Sequence, residues 1–161
     1  MKTILAVDKN FAIGYEGNLL FHIKKDFKHF KELTTGNVVI LGKNSLKSMG
    51  NKPLKNRENI ILTRDKNFKL DNALIFHSKK DVLNYVKNVK KDVFVIGGAK
   101  TVELFLDEIN EAYITKVFEE KKADTYLFNF EKDKNRKIKE QSEIFEEDDI
   151  KFQFVTYEKI K

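Results

Sequence analysis

Apolar and polar positions follow two different rhythms along this chain, and the switches between them predict its elements. Thr3–Val7 reads as a strand. After a glycine-bearing loop, the spacing of Ile23, Phe27, Phe30 and Leu33 predicts a helix over Lys24–Leu33, with Lys24, Lys25, Lys28 and Lys31 mostly outside the apolar stripe. Asn37–Leu41 is a buried strand, and a short helix covers Ser45 to Met49. Asn59–Thr63 and Ala73–Phe76 are further strands, and Lys79–Val89 is an amphipathic helix with Val82, Leu83 and Val86 inward. Asp92–Ile96 is another buried strand, leading through Gly97-Gly98 into a helix that runs to Leu106.

Beyond that point the pattern changes. Glu111–Phe118, Ile138–Ser142 and Lys151–Tyr157 are strands with no helix between them. The early alternation argues for a mostly parallel sheet wrapped by helices, and the late strands for antiparallel pairs that complete one edge through a hairpin. Glu146-Glu147-Asp148-Asp149 reads as the solvated turn of that hairpin, since no histidine or second acid cluster accompanies it.

Composition narrows the picture. A chain of 161 residues forms one domain, 1–161, with a core large enough to need no staples. It has no cysteine, which excludes disulfides, thiolate metal ligands and a cysteine nucleophile. The apolar runs are too short to span a bilayer, and Asp8 follows the first strand too soon for a signal peptide, so the chain reads as cytoplasmic with no membrane partner. The net charge of +6 raises nucleic acid as a partner, but the basic residues are interleaved with acids and 28 of the 31 are lysine. That is a compositional bias rather than a patch, and it makes Arg57, Arg64 and Arg136 stand out. Nothing in the sequence demands more than a monomer.

The candidate chemistry begins with Asp26, which lies at the edge of the apolar stripe four residues before Phe30. A carboxylate there is costly unless something binds it, which points to a small cationic or amidine-like ligand. Gly97-Gly98 precedes a helix start; paired glycines there let backbone N–H groups approach an anion, although a tight turn needs the same residues. Gly42-Lys43-Asn44-Ser45 is a second helix start, where Ser45 or Asn44 also reads as a simple cap. Should the two starts converge, they would flank a phosphate-rich cofactor. Thr63-Arg64 at a strand end suits a ribose phosphate, and Arg57 suits a ligand carboxylate; both also read as surface arginines in turns. His22, His29 and His77 lack metal-ligand spacing, and no serine has a nucleophile's setting.

In order and spacing these segments resemble the dihydrofolate reductase family from about Ile4 to the C-terminus. The residues that carry the resemblance are Ile4-Leu5-Ala6 with Asp8, Ile13-Gly14, Asn18 to Phe21, Asp26 to Lys31, and Thr34 with Gly36. Val39 to Ser45, Ser48-Met49-Gly50, Pro53-Leu54, Arg57 and Asn59 to Arg64 continue it, and Ile96 to Ala99, Tyr113-Ile114-Thr115 and Asp124-Thr125 close it. The resemblance implies an α/β fold: a central, mostly parallel eight-stranded mixed sheet with about four flanking helices and an antiparallel C-terminal hairpin. It implies NADPH-dependent reduction of dihydrofolate to tetrahydrofolate. Asp26 would hold the pterin amidine edge, with the Thr115 hydroxyl in the same network. Ile4, Leu5, Phe27, Phe30, Met49, Leu54 and Ile96 would wall the pocket, and Arg57 would take the carboxylate of the glutamate tail. Ala6, Ile13, Gly14, Gly17, Asn18 and Leu19 would hold the cofactor. So would Gly42, Lys43, Asn44, Ser45, Leu62, Thr63 and Arg64, and the run Ile96, Gly97, Gly98, Ala99, Lys100, Thr101 and Val102. Water is the implied proton donor to the ring nitrogen, and the loop over Gly14–Leu20 would close on the nicotinamide.

The chain departs from the family pattern at Leu19-Leu20-Phe21, where Leu-Pro-Trp is common, at Val102, where tyrosine is usual, at Asn51 or Lys52, and after Asp124-Thr125. Two rival readings remain open on the sequence. One is a riboflavin-pathway pyrimidine reductase of the same fold; the other is a basic module that binds polyanions.

Overall fold

The computed structural model describes residues 1–160. Its strands are β1 (Lys2–Val7), β2 (Ala12–Tyr15), β3 (Asn18–Leu19), β4 (Val38–Gly42), β5 (Glu58–Leu62), β6 (Leu74–Phe76), β7 (Val93–Gly97), β8 (Glu111–Val117), β9 (Thr125–Tyr126), β10 (Arg136–Glu147) and β11 (Ile150–Lys159). Its α-helices are α1 (Lys24–Thr34), α2 (Lys43–Ser48), α3 (Lys79–Val86) and α4 (Ala99–Leu104). The main sheet has the order β10-β11-β8-β1-β7-β4-β5-β6.

From β8 to β6 neighbouring strands run parallel, while β11 pairs antiparallel with β8 and with β10. The apolar run of β4 explains its central place: Val38, Val39, Ile40 and Leu41 are fully buried, as a parallel strand covered on both faces must be. The core on one side of the sheet gathers Ile40, Ile60 and Val95 with Val82 of α3 and Val102 of α4. None of the described helices is long and apolar enough to cross a membrane.

Three expectations change. The helix read as Lys79–Val89 ends at Val86, and the helix read as running to Leu106 ends at Leu104, with a 3-10 turn at Leu106–Glu108. The last-but-one strand extends well beyond Ile138–Ser142, because β10 is an edge strand whose side chains are mostly exposed and show no apolar alternation. Its ladder with β11 is interrupted near Ile138/Glu140 and Gln141/Ile144.

The glycine-bearing loop is also more ordered than expected. β2 pairs with β3 and with β9 to form a second, three-stranded sheet, in strands too short for a periodic signal. Buried Asp8 organises its approach: one carboxylate oxygen accepts from the amides of Asn10 (2.8 Å) and Ala12 (2.9 Å), the other from Lys121 N (3.2 Å). Asp124 Oδ2 accepts from Glu16 N at 2.9 Å, so the segment before β9 holds the β2–β3 turn.

Candidate active site

A crevice of about 380 Å³ opens beyond the carboxyl ends of β1 and β7. This is where ligands bind in open α/β sheets, because the loops there diverge. Ile4, Leu5 and Ala6 of β1 form its floor with Ile96, Gly97 and Gly98. α1 contributes Asp26, Phe27, Phe30 and Lys31; Ile13, Leu19, Leu20 and Phe21 come from the small sheet and the segment after it. Ser45, Ser48, Met49, Leu54 and Arg57 complete the wall.

Asp26 is the only acid in this lining. It stands in the first turn of α1, where the helix dipole favours a negative charge. Thr115 Oγ1 of β8, itself buried, donates to Asp26 Oδ1 at 2.6 Å. Burial pushes the Asp26 carboxyl above the usual carboxylate range; the Thr115 hydroxyl pulls it back, and the negative charge of Glu147 pushes it up again. Phe27 is 43% exposed, an apolar ring left uncovered at the mouth of the crevice.

Arg57 is held in place on the far side. Its Nε donates to Thr34 Oγ1 (3.1 Å), one terminal nitrogen donates to Lys55 O (2.9 Å), and the guanidinium lies 5.7 Å from the centre of the Phe30 ring. Leu54 is fixed by buried Asn59, whose side chain accepts from Leu54 N (2.9 Å) and donates to Leu54 O (2.8 Å).

The two helix starts do converge. A Cβ built on Gly42 would lie 3.0 Å from Thr101 Oγ1 of α4, and one built on Gly97 would lie 3.1 Å from Ser45 Oγ of α2. Each helix therefore sets a hydroxyl against the other's glycine, and side chains at either position would fill the cradle. Gly97 also has φ +142°, a conformation that favours glycine. Lys43 Nζ reaches Asp65 Oδ2 at 2.9 Å, which joins α2 to the segment containing Thr63 and Arg64.

These features match a known family along the chain's length: the model described as dihydrofolate reductase covers residues 1–159. The chain belongs to the dihydrofolate reductase family. A dihydrofolate reductase from Lactococcus lactis subsp. lactis is 35% identical over 167 aligned residues, covering 98% of this chain and 96% of that protein. One from Staphylococcus haemolyticus is 36% identical over 124 residues, covering 77% of this chain and 74% of that protein. The dihydrofolate reductase of Enterococcus faecalis, solved in complex with NADP(H) and RAB-propyl, superposes with a TM-score of 0.89 at 27% identity, covering 99% of this chain and 96% of that one.

Set against the residues that the family resemblance selects, the structure separates three groups. Ile4, Leu5, Ala6, Ile13, Leu19, Asp26, Phe27, Phe30, Ser45, Met49, Leu54, Arg57, Ile96, Gly97 and Gly98 line one crevice. Thr115 stands behind Asp26 and outside the lining. Gly14, Gly17, Asn18, Gly42, Lys43, Asn44, Leu62, Thr63, Arg64, Ala99, Lys100 and Thr101 also lie outside it, in the small sheet, the strand ends, the turns and the helix starts that flank it. Val102 is a correction. Its side chain is fully buried in the main core and its amide is taken by Gly98 O at 3.0 Å, so it offers a ligand nothing.

Sequence reasoning missed four lining residues, Leu20, Phe21, Lys31 and Ser48. Leu20 and Phe21 carry part of the resemblance and stand in or beside the loop expected to close, but nothing in their types assigns them to the pocket wall. Lys31 falls outside the apolar stripe in sequence, yet it adjoins Phe30 and lies four residues after Phe27, which puts it over the same opening. Ser48, whose hydroxyl donates to Gly17 O at 2.6 Å, carries the resemblance beside Met49 but gives no sequence signal of its own for a place in the lining.

Proposed function

We propose that this chain reduces 7,8-dihydrofolate to 5,6,7,8-tetrahydrofolate with NADPH. The observation that carries the reading is Asp26, a carboxylate backed by Thr115 and the only acid in a largely apolar crevice that abuts the Gly97-Gly98 cradle. The whole chain, 1–161, is read as one reductase domain acting as a cytoplasmic monomer, with no nucleic-acid or membrane partner.

Each residue then has a role. Asp26 would hold the amidine edge of the pterin through paired hydrogen bonds, and Thr115 would keep the carboxylate turned inward. Ile4, Leu5, Phe27, Phe30, Met49, Leu54 and Ile96 would cover the ring system, with Arg57 on the carboxylate of the glutamate tail. The negative charge of Asp26 would raise the basicity of the ring nitrogen that must gain a proton.

The cradle between Gly42, Ser45, Gly97 and Thr101 fits a pyrophosphate, since its backbone can be approached where a Cβ would collide. Lys43, Thr63 and Arg64 would hold the ribose phosphate, and Ala6, Ile13 and Leu19 would pack beside the nicotinamide. When bound, the reduced nicotinamide supplies the hydride. Leu20 and Phe21 are 9% and 7% exposed and would exclude water from that corner.

The test is the absorbance loss of NADPH in the presence of purified protein. Oxidation should depend on added dihydrofolate and be weaker with NADH. Oxidation indifferent to dihydrofolate would refute the reading.

A further inference from the structure

We infer that Glu147, the last residue of β10, is a positioning residue for this reaction: it fixes the amino end of the helix that carries Asp26 and adds its charge to the crevice. The inference rests on the reading of the Asp26 crevice given above. No residue near Asp26 in sequence does this work. The residue preceding α1, Ile23, has no side chain able to accept a hydrogen bond, so the helix begins without a cap of its own.

Glu147 supplies the cap from across the fold. One carboxylate oxygen accepts from Lys24 N at 2.7 Å and the other from Lys25 N at 3.1 Å. These are the first two amides of α1, and Asp26 is the next residue. A bidentate grip on consecutive amides sets both the position and the direction of the helix end. Two more contacts between the same elements reinforce it. Lys25 Nζ lies 4.2 Å from the centre of the Phe145 ring, and the His29 ring stacks on Phe154 at 4.0 Å.

Several charged or titratable groups face this corner. They are Lys24, next to Lys25 in the first turn of α1, His22 beside Phe27, Lys25 and His29 against Phe145 and Phe154, Lys31 and Arg57 in the lining, and Lys121 from the segment after β8, whose ammonium donates to Leu20 O at 2.8 Å. Glu146, Asp148, Asp149 and Lys151 surround Glu147 in the hairpin. The negative charge of Glu147 pushes the Asp26 carboxyl in the same direction as burial does. Its negative charge therefore favours a proton in the crevice, whether on the carboxylate or on the bound ring nitrogen.

A cap that served only stability would change melting temperature and nothing else. The test compares wild type, E147Q, E147A and E146Q in the pH profile of dihydrofolate-dependent NADPH oxidation, with thermal melts confirming that each is folded. An NMR titration of the Asp26 carboxyl in the same proteins reads the effect without turnover. The alkaline limb of the profile and the Asp26 midpoint should move to lower pH in both Glu147 variants, with turnover at pH 7 reduced about threefold. E147A, which loses both acceptors, should melt below E147Q. E146Q, which removes a charge one residue away, should follow wild type. A limb and a midpoint in E147Q and E147A that coincide with wild type would overturn the inference, whatever the melting temperatures. Wild-type protein with no dihydrofolate-dependent oxidation would instead remove the reading on which it rests.

Discussion

Thr115 Oγ1 and Asp26 Oδ1 are 2.6 Å apart, joining β8 to the first turn of α1 across 89 positions of sequence. The bond turns a partly buried carboxylate toward the crevice and satisfies one of its oxygens from behind. The other is left for a ligand that can donate. A charged acceptor among Ile4, Phe27, Phe30 and Leu54 is selective because it is poorly solvated: only a partner that replaces its water is bound well.

Holding that carboxylate reduces the stability of the empty protein, with a defined sign. The folded-state pKa of Asp26 is raised, chiefly by burial, while in the unfolded chain it is ordinary. Below the ordinary carboxylate range both states hold the proton, and the group has no effect. As pH rises through the interval up to the folded value, the unfolded chain releases its proton first and stability falls. Asp26→Asn removes this penalty. Without ligands it should melt a few degrees above wild type at neutral pH, and the gap should close in acid. Calorimetric melts across pH check this; a variant that melts lower at neutral pH would contradict it.

Arg57→Ala should weaken dihydrofolate binding by about 2 kcal/mol, roughly 30-fold, the scale of a charge-assisted hydrogen bond. Binding of NADPH should be unchanged, because Arg57 lies on the Thr34 and Phe30 side of the crevice. Fluorescence titration with each ligand separates the two. Equal losses for both would mean that the substitution disturbs the fold through Thr34.

Lys43→Ala should reduce affinity for NADPH about 10-fold and leave NADH nearly unaffected. Its surface pair with Asp65 contributes under about 1 kcal/mol to stability, so melting should barely move. Parallel titrations with the two cofactors measure the ratio.

Gly97→Ala places a methyl group 3.1 Å from Ser45 Oγ at a backbone φ of +142°. Destabilisation of about 1–3 kcal/mol is expected from the backbone strain, with NADPH affinity falling and dihydrofolate affinity falling less. Denaturant unfolding and cofactor titration report the two effects. Unchanged stability and cofactor affinity would show that α2 and α4 are not wedged together as described.

What the sequence disclosed follows from how strongly each element is buried. β4 is apolar at every buried position and was legible at once, as was the first helix from the spacing of its phenylalanines. β10 was only partly legible because Lys137, Ile138, Lys139 and Glu140 are all exposed, so no face imposes a pattern. The β2–β3–β9 sheet was invisible since its strands span two to four residues and are fixed by Asp8 and Asp124 through backbone amides.

The site divides in the same way. Asp26 showed itself as a charge out of place on an apolar stripe. Thr115 came only through family resemblance, because a hydroxyl in a strand carries no signal until its partner is known. Glu147 lies 123 positions from the amide it caps and reads in sequence as one acid of a solvated turn; two of its neighbours, Asp148 and Asp149, do form that turn with positive φ.

The most direct measurement is single-turnover hydride transfer from NADPH to dihydrofolate in wild type and in Asp26→Asn. At neutral pH the variant should bind NADPH as wild type does and transfer hydride at least about 100-fold more slowly, with the loss shrinking in acid where the substrate can be protonated without help. A variant that transfers hydride at the wild-type rate at neutral pH would contradict the account at its centre.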